Sequence, residues 1–140
     1  MSEPAHQYIT SQELADLIKP DKKLLEDFAI IDVRDKDFAG GNIVGCLRSP
    51  SEKYKRSVDE LIEKTKDIPK MIFHCSFSQQ RGPKAAKIYA EKWAARGEES
   101  KLTKEILVLE GGFSGFQLTF KNDPKLVEKW QNDVWDTNWS

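Results

Sequence analysis

The residues best suited to do chemistry lie in one segment, His74–Pro83. An apolar run, Met71-Ile72-Phe73, leads into it, and five residues separate Cys75 from Arg81, where a helical pattern begins. Loop amides and a helix N-terminus that converge on one point create partial positive charge, which favours an anion. We therefore expect Cys75 to be a thiolate nucleophile and Arg81 to hold two oxygens of a tetrahedral anion. The pattern favours attack of sulfur on a phosphate or phosphate-like group.

The side chains of this loop are the candidate substrate contacts. Serine hydroxyls can orient loop amides or donate to an anion, and we expect the single aromatic residue to pack rather than react. A buried, inert cysteine at a strand end is common, so the Cys-x5-Arg spacing gains weight only from the strand before it and the helix after it. The predicted substrate-binding residues are Ser76, Phe77, Ser78, Gln79, Gln80 and Arg81, with Gly82 as structural support.

Other polar residues near predicted strand ends have structural interpretations. The side chain of His74 should point away from that of Cys75, because strand residues alternate between faces, so we expect it to be structural. Asp32 and Arg34 follow another apolar run, and we predict an ion pair that braces the strand end. Glu110-Gly111-Gly112 follows a third run. Because functional sites gather beyond the carboxyl ends of parallel strands, the three segments should meet at one rim.

Apolar runs alternate with amphipathic stretches along the chain, which predicts an α/β fold with a parallel sheet and helices on both faces. Short, continuous apolar runs are typical of buried parallel strands. The predicted strands are Tyr8-Ile9, Phe28–Ile31, Cys46–Arg48, Met71–Phe73 and Ile106–Leu109.

Capping signals predict where the helices begin. Thr10 with Glu13 forms a capping box, and that helix should end before Pro20. A second box, Ser49 with Glu52, has Pro50 at the first helical position.

Three further helices and a docked tail complete the predicted fold. The helices follow Arg81, begin near Phe113, and run from about Pro124 to Gln131. Aromatic residues crowd the C-terminal end of the chain, and we expect them to dock the tail onto the domain. The tryptophans concerned are Trp130, Trp135 and Trp139.

Composition narrows the class of protein. The 140 residues fit a single domain, 1–140, with 39% hydrophobic and 32% charged residues. A net charge of −1 gives no reason to expect nucleic-acid or membrane binding, and we predict neither a membrane span nor a secretion signal. Only two cysteines and two histidines occur, so we expect no disulfide framework and no metal-binding cluster. We also expect no cofactor. We expect a reducing compartment, the cytoplasm, with the nucleus as a second location.

Three segments together resemble a rhodanese domain. They are Ile30–Arg34 with Phe38–Gly45, the loop His74–Pro83, and Leu109–Phe113. The class that they resemble most is that of the cell-division-cycle-twenty-five phosphatases and their small single-domain fungal relatives, some of which reduce arsenate.

The resemblance spans nearly the whole chain and implies a rhodanese-like, five-stranded parallel sheet flanked by helices. It also implies Cys75 as nucleophile and Arg81 as phosphate clamp. Sulfurtransferases of this fold typically carry a loop one residue shorter, so the loop here favours a tetrahedral oxyanion over sulfane sulfur. The large cell-cycle phosphatases differ from this chain in carrying acidic residues where Ser76 and Gln80 stand, and a second cysteine where Val33 stands.

The function predicted first is a cysteine-dependent phosphatase that acts on phosphomonoesters, with phosphotyrosine, phosphoserine or phosphothreonine of proteins as the expected substrates. Arsenate reductase is the alternative, because arsenate has the shape and charge of phosphate. It would need an external thiol such as glutathione or glutaredoxin, since no resolving cysteine lies beside Cys75. A sulfurtransferase and a catalytically silent phosphate-binding module remain further alternatives.

Overall fold

A five-stranded parallel sheet forms the centre of the protein. The computed structural model describes residues 7–18, 22–97 and 101–131. The sheet contains β1 (Gln7–Ile9), β2 (Phe28–Asp32), β4 (Leu47–Arg48), β5 (Lys70–His74) and β6 (Glu105–Leu109), in the order β1-β6-β5-β2-β4. A separate antiparallel pair joins β3 (Asn42–Ile43) to β7 (Val127–Glu128). The predicted parallel sheet is confirmed, with β4 beginning one residue later than expected.

The sheet is buried on both faces, which explains the continuous apolar runs of its central strands. Helices α1 (Ser11–Leu17) and α4 (Gly112–Phe120) lie beside one core cluster. Helices α2 (Tyr54–Lys64) and α3 (Arg81–Ala94) contribute side chains to the other. No helix in the described ranges has the length and apolar character needed to cross a membrane.

The first capping box is present as predicted. Thr10 Oγ1 accepts a hydrogen bond from the Glu13 amide at 3.0 Å, and Glu13 Oε1 accepts one from the Thr10 amide at 2.9 Å. These reciprocal bonds satisfy two backbone donors that the first turn of a helix leaves unpaired.

The second predicted capping box is wrong. A 3-10 turn, Ser51–Lys53, precedes α2, and neither cap has a side-chain hydrogen bond. The carboxylate of Asp35 accepts a hydrogen bond from the Ser51 hydroxyl and another from the Glu52 amide. A side chain from a distant part of the chain has therefore taken the place of a local cap.

The helix predicted over Pro124–Gln131 is also wrong. Its central residues form β7, which pairs with β3 through Ile43 opposite Val127. Leu126 and Val127 are buried in the same cluster as Ile43, so pairing and burial outweigh local helix preference in this segment.

The expected docking of the tail is confirmed for Trp130. Its indole Nε1 donates a hydrogen bond to Gln117 Oε1 on α4 at 2.9 Å. Trp135 and Trp139 lie outside the described residues.

Helix α4 packs end-on against the loop that follows β5. The amide of Phe113 donates to the carbonyl of Cys75 at 3.0 Å, and the amide of Ser114 donates to the carbonyl of Ser76 at 2.8 Å. Gly112 permits this approach, because it has φ +60° and a Cβ there would lie 2.4 Å from the Ser76 carbonyl oxygen. The close contact of helix and loop therefore requires glycine at this position.

Gly112→Ala should lower the free energy of unfolding by about 2 kcal/mol or more, because backbone strain and a backbone clash add. Gly115→Ala on the same helix is the matched control, since a Cβ there meets no atom within 4 Å. The control should be neutral or stabilising by up to about 1 kcal/mol. Urea unfolding of both variants checks this, and equal stabilities would contradict the proposed close approach.

Candidate active site

Cys75 lies directly after β5 and is the centre of the loop. Its side chain is buried, and its Sγ accepts hydrogen bonds from the amides of Ser78 at 3.2 Å and Gly82 at 3.4 Å. The N-terminus of α3 begins at Arg81, so the positive end of that helix faces the same region. Two amide donors thus point at the sulfur, one from the loop and one from the first turn of α3.

The remaining amides of the loop are available to an anion. Within the described residues, the structure shows no protein acceptor for the amides of residues 76, 77, 79, 80 and 81. Ser78 has φ +56°, an uncommon conformation for a residue other than glycine, and its buried hydroxyl lacks a hydrogen-bond partner there. Strained backbone and unsatisfied donors of this kind are typical of a preorganised ligand site.

A cavity of about 590 Å³ opens above this loop. Five predicted residues line it, and Phe77 among them is partly exposed with 39% of its surface accessible. The lining consists of Cys75, Phe77, Gln79, Gln80 and Arg81. The hydroxyls of Ser76 and Ser78 are buried away from this lining, and the Ser76 hydroxyl donates to Asp37.

Arg81 is held by two carboxylates. Its Nη1 lies 2.9 Å from Asp37 Oδ1 and its Nη2 lies 2.6 Å from Asp37 Oδ2, a bidentate pair, while Asp35 Oδ2 is 3.4 Å from Nη1. Burial alone would raise the pKa of Asp37, but hydrogen bonds from Arg81 and Ser76 outweigh burial and lower the pKa to about 2. The hydrogen bonds with Asp37 also raise the pKa of Arg81. Both groups are therefore charged at neutral pH.

The predicted ion pair between Asp32 and Arg34 is present and fully buried. Arg34 Nη2 lies 2.7 Å from Asp32 Oδ2, and the guanidinium also donates to the carbonyls of Asp37 at 3.1 Å and Gly41 at 2.8 Å. Burial opposes ionisation of Asp32, yet the hydrogen bonds and the positive charge of Arg34 lower its pKa. Arg34 thus anchors the backbone of the connection that follows β2.

His74 has the structural position that strand alternation predicts. It is fully buried, stacks on Phe113 with ring centroids 6.4 Å apart, and its Nδ1 lies 3.2 Å from the Cys75 carbonyl oxygen. Burial lowers the pKa of His74, so the imidazole is neutral at neutral pH. Its ring is absent from the lining of the cavity above the loop.

Sequence reasoning missed the two carboxylates that hold Arg81. Asp35 and Asp37 lie in the polar connection after β2, where acidic residues are usually solvated surface groups. The available signal was their place at the carboxyl end of a strand next to β5. Among the described residues, no cluster of three or more histidine, cysteine or acidic side chains could hold a metal ion.

Comparison with known proteins gives one family. The model of the rhodanese-like domain matches residues 10–119. Dual specificity phosphatase ibp1 of Schizosaccharomyces pombe is 36% identical over 115 residues, which cover 73% of this chain and 83% of that protein. Arsenate reductase 2.2 of Oryza sativa subsp. japonica is 30% identical over 113 residues, which cover 80% of this chain and 82% of that protein.

A solved structure agrees with these sequence relatives. Ygr203w, described as a yeast protein tyrosine phosphatase of the rhodanese family, superposes with a TM-score of 0.78 at 27% identity. The match covers 96% of this chain and 99% of that chain. The shared architecture thus extends over both chains almost completely.

Val33 directly follows β2 and lies opposite Cys75 when the β2–β5 register is extended by one position. Its amide donates to the His74 carbonyl at 2.9 Å, one position beyond the pair Asp32–His74 in the β2–β5 register. Adjacent strands are about 4.8 Å apart, which is within the Cα separation of roughly 7 Å that a disulfide tolerates. Cys46 belongs to the core cluster on the opposite face of the sheet from that of Cys75.

Val33→Cys should therefore form a disulfide with Cys75 under mild peroxide, and a thiol reductant should reverse it. In the wild type, and in the control Val33→Ala, peroxide should give sulfinic and sulfonic forms of Cys75 or a glutathione adduct. Intact-mass analysis and peptide mapping check this. A dominant Cys46–Cys75 bridge in the wild type would contradict the separation of the two cysteines.

Proposed function

We propose that this protein, which belongs to the rhodanese-like family, is a cysteine-dependent phosphatase that hydrolyses phosphomonoesters. The observation that carries the proposal is the loop around Cys75. Five of its amides have no protein acceptor within the described residues, and the sulfur already accepts two hydrogen bonds. Arg81 lines the same cavity and adds a positive charge. Amides and a guanidinium stabilise an anion whose charge grows during the reaction.

The proposed mechanism has two steps. Cys75 Sγ attacks phosphorus in line, so that an S–P bond forms while the P–O bond of the ester breaks and the oxygen leaves with its electron pair. The loop amides and Arg81 hold the three equatorial oxygens as charge spreads over them. A water molecule then attacks phosphorus, the S–P bond breaks, and inorganic phosphate and the thiolate are released.

The loop itself supplies no acid to protonate the leaving oxygen. Ser76 and Gln80 carry no carboxyl group, and Asp37, with a pKa lowered to about 2, is ionised at neutral pH. Two other acidic residues are also not placed to donate a proton. Asp32 forms a buried ion pair with Arg34, and Glu110 is exposed and absent from the cavity lining. We infer that the leaving oxygen takes its proton from solvent.

Arsenate reduction is the second candidate, favoured by the rice relative and by the equal shape and charge of arsenate and phosphate. Arsenate would form an adduct with Cys75, and two thiols in total would be oxidised as As(V) becomes As(III). Cys46 packs on the opposite face of the sheet from Cys75. It is therefore not placed to supply the second thiol. An external thiol such as glutathione or glutaredoxin is therefore the partner that this activity requires.

We predict hydrolysis of an aryl phosphate in the presence of a metal chelator, because Arg81 and the amides supply the positive charge. Cys75→Ser should abolish turnover, since a hydroxyl ionises far less readily than a thiol. Arg81→Ala should lower kcat/KM on the order of a hundredfold or more, and Arg81→Lys should not restore it, because a point charge cannot replace the planar fork. Assays with the same protein on arsenate plus glutathione and glutaredoxin compare the two candidates. Full activity in Cys75→Ser would refute the mechanism.

The absence of an acid in the loop predicts strong dependence on the leaving group. Activated aryl phosphates should react far faster than alkyl phosphates, because a poor leaving group needs a proton donor. Measuring kcat across aryl esters whose phenols differ in acidity gives the slope of this dependence. Equal rates for aryl and alkyl esters would show that a proton donor is present in the complex with substrate.

A further inference from the structure

The guanidinium of Arg81 uses only part of its hydrogen-bonding capacity in the free protein. Arginine has five N–H donors. Two on Nη1 face Asp37 and Asp35, and one on Nη2 faces Asp37. Within the described residues, Nε–H and the second Nη2–H have no protein acceptor.

The two unused donors lie on one edge of the guanidinium plane. Nε–H and the outer Nη2–H point in parallel, which is the side-on fork that grips two oxygens of a phosphate or arsenate. Asp37 occupies the other fork, between Nη1 and Nη2. An oxyanion can therefore bind Arg81 without displacing the carboxylate.

Asp37 is itself fixed from several directions. Its Oδ2 accepts from the Ser76 hydroxyl, its Oδ1 accepts from the Asp35 amide at 3.0 Å, and its carbonyl accepts from Arg34 Nη1 at 3.1 Å. The residue is 7% exposed. Rotating the guanidinium plane of Arg81 would break both charge-assisted hydrogen bonds to Asp37, because the contacts of Asp37 keep its carboxylate in place.

We propose that Asp37 is the positioning residue of Arg81, fixing the guanidinium plane so that its Nε/Nη2 edge binds the oxyanion above Cys75. This inference rests on the proposed function, because it assigns a role in the same anion site. The rival hypothesis treats Asp37 as an internal competitor that must leave before an anion can bind. The two hypotheses predict opposite effects when the carboxylate is neutralised.

Asp37→Asn removes the charge and keeps the shape of the side chain, so it tests the sign of the effect. If Asp37 positions Arg81, the affinity for inorganic phosphate, measured by calorimetry, should fall about tenfold or more. With an aryl phosphate, kcat should fall more than KM rises, because the clamp acts most strongly in the transition state. If Asp37 competes, phosphate should bind more tightly.

Glu110→Gln is the matched control for charge, since it removes a carboxylate that follows a neighbouring strand but is exposed and absent from the cavity lining. We expect a change in phosphate affinity of about threefold or less. A loss equal to that of Asp37→Asn would show a general effect of charge and would overturn the proposal.

A double-variant cycle separates positioning from general damage to the loop. In an Arg81→Ala background, Asp37→Asn should change kcat/KM less than about twofold, because no guanidinium remains to position. Additive losses would overturn the proposal. If Asp37→Asn does not fold, as judged by circular dichroism, Ser76→Ala replaces it, since this variant removes one tether of Asp37 and should lower phosphate affinity in the same direction. An unchanged or higher affinity in Ser76→Ala would then overturn the proposal.

Failure of the inference differs from failure of the proposed function. Wild-type protein that neither binds phosphate nor hydrolyses the ester would overturn both. An active wild type whose Asp37→Asn variant binds phosphate more tightly would overturn the positioning role alone.

Discussion

The buried ion pair between Asp32 and Arg34 is the interaction on which the geometry of the site depends. A guanidinium in the interior is tolerated only when its donors are met, and here Asp32 and two backbone carbonyls meet them. Those carbonyls belong to Asp37 and Gly41, so one buried charge determines the path of the connection after β2. That path places the Asp37 carboxylate against Arg81, which begins a helix on the far side of the loop. A pair in the core thus fixes a charged group at the surface of the cavity.

The sequence predicted those parts of the molecule that depend on local pattern. Continuous apolar runs predicted the strands, and the rule that sites lie at carboxyl ends predicted the rim. Alternation predicted that the side chains of His74 and Cys75 lie on opposite faces of the sheet. The contact between Asp37 and Arg81 joins residues 44 positions apart and has no local signal. The errors have the same cause. Asp35 accepts the hydrogen bond of Ser51 in place of a local cap. Val127 pairs with β3 and so forms a strand instead of a helix. In both cases a partner distant in sequence outweighs local preference.

The charged side chains around Arg81 do not sum to a net positive site. The single positive charge of Arg81 faces the two negative charges of Asp35 and Asp37, while one edge of its guanidinium stays open. The amides of the loop carry no net charge, yet they supply directed donors. Binding therefore depends on direction as well as on charge, and both phosphate and arsenate satisfy the same directions.

The contact of α4 with the carbonyls of Cys75 and Ser76 also sets the orientation of the opposite side of each peptide group. The C=O and N–H of one trans peptide point in opposite directions, because the group is planar. The amides of Phe113 and Ser114 donate to these two oxygens, so the N–H groups of Ser76 and Phe77, which belong to the same two peptide groups, point away from α4. Flipping either peptide plane would cost a hydrogen bond to a helix N-terminus. Helix α4 therefore preorganises the loop, because it fixes the orientation of two amide donors before any anion binds.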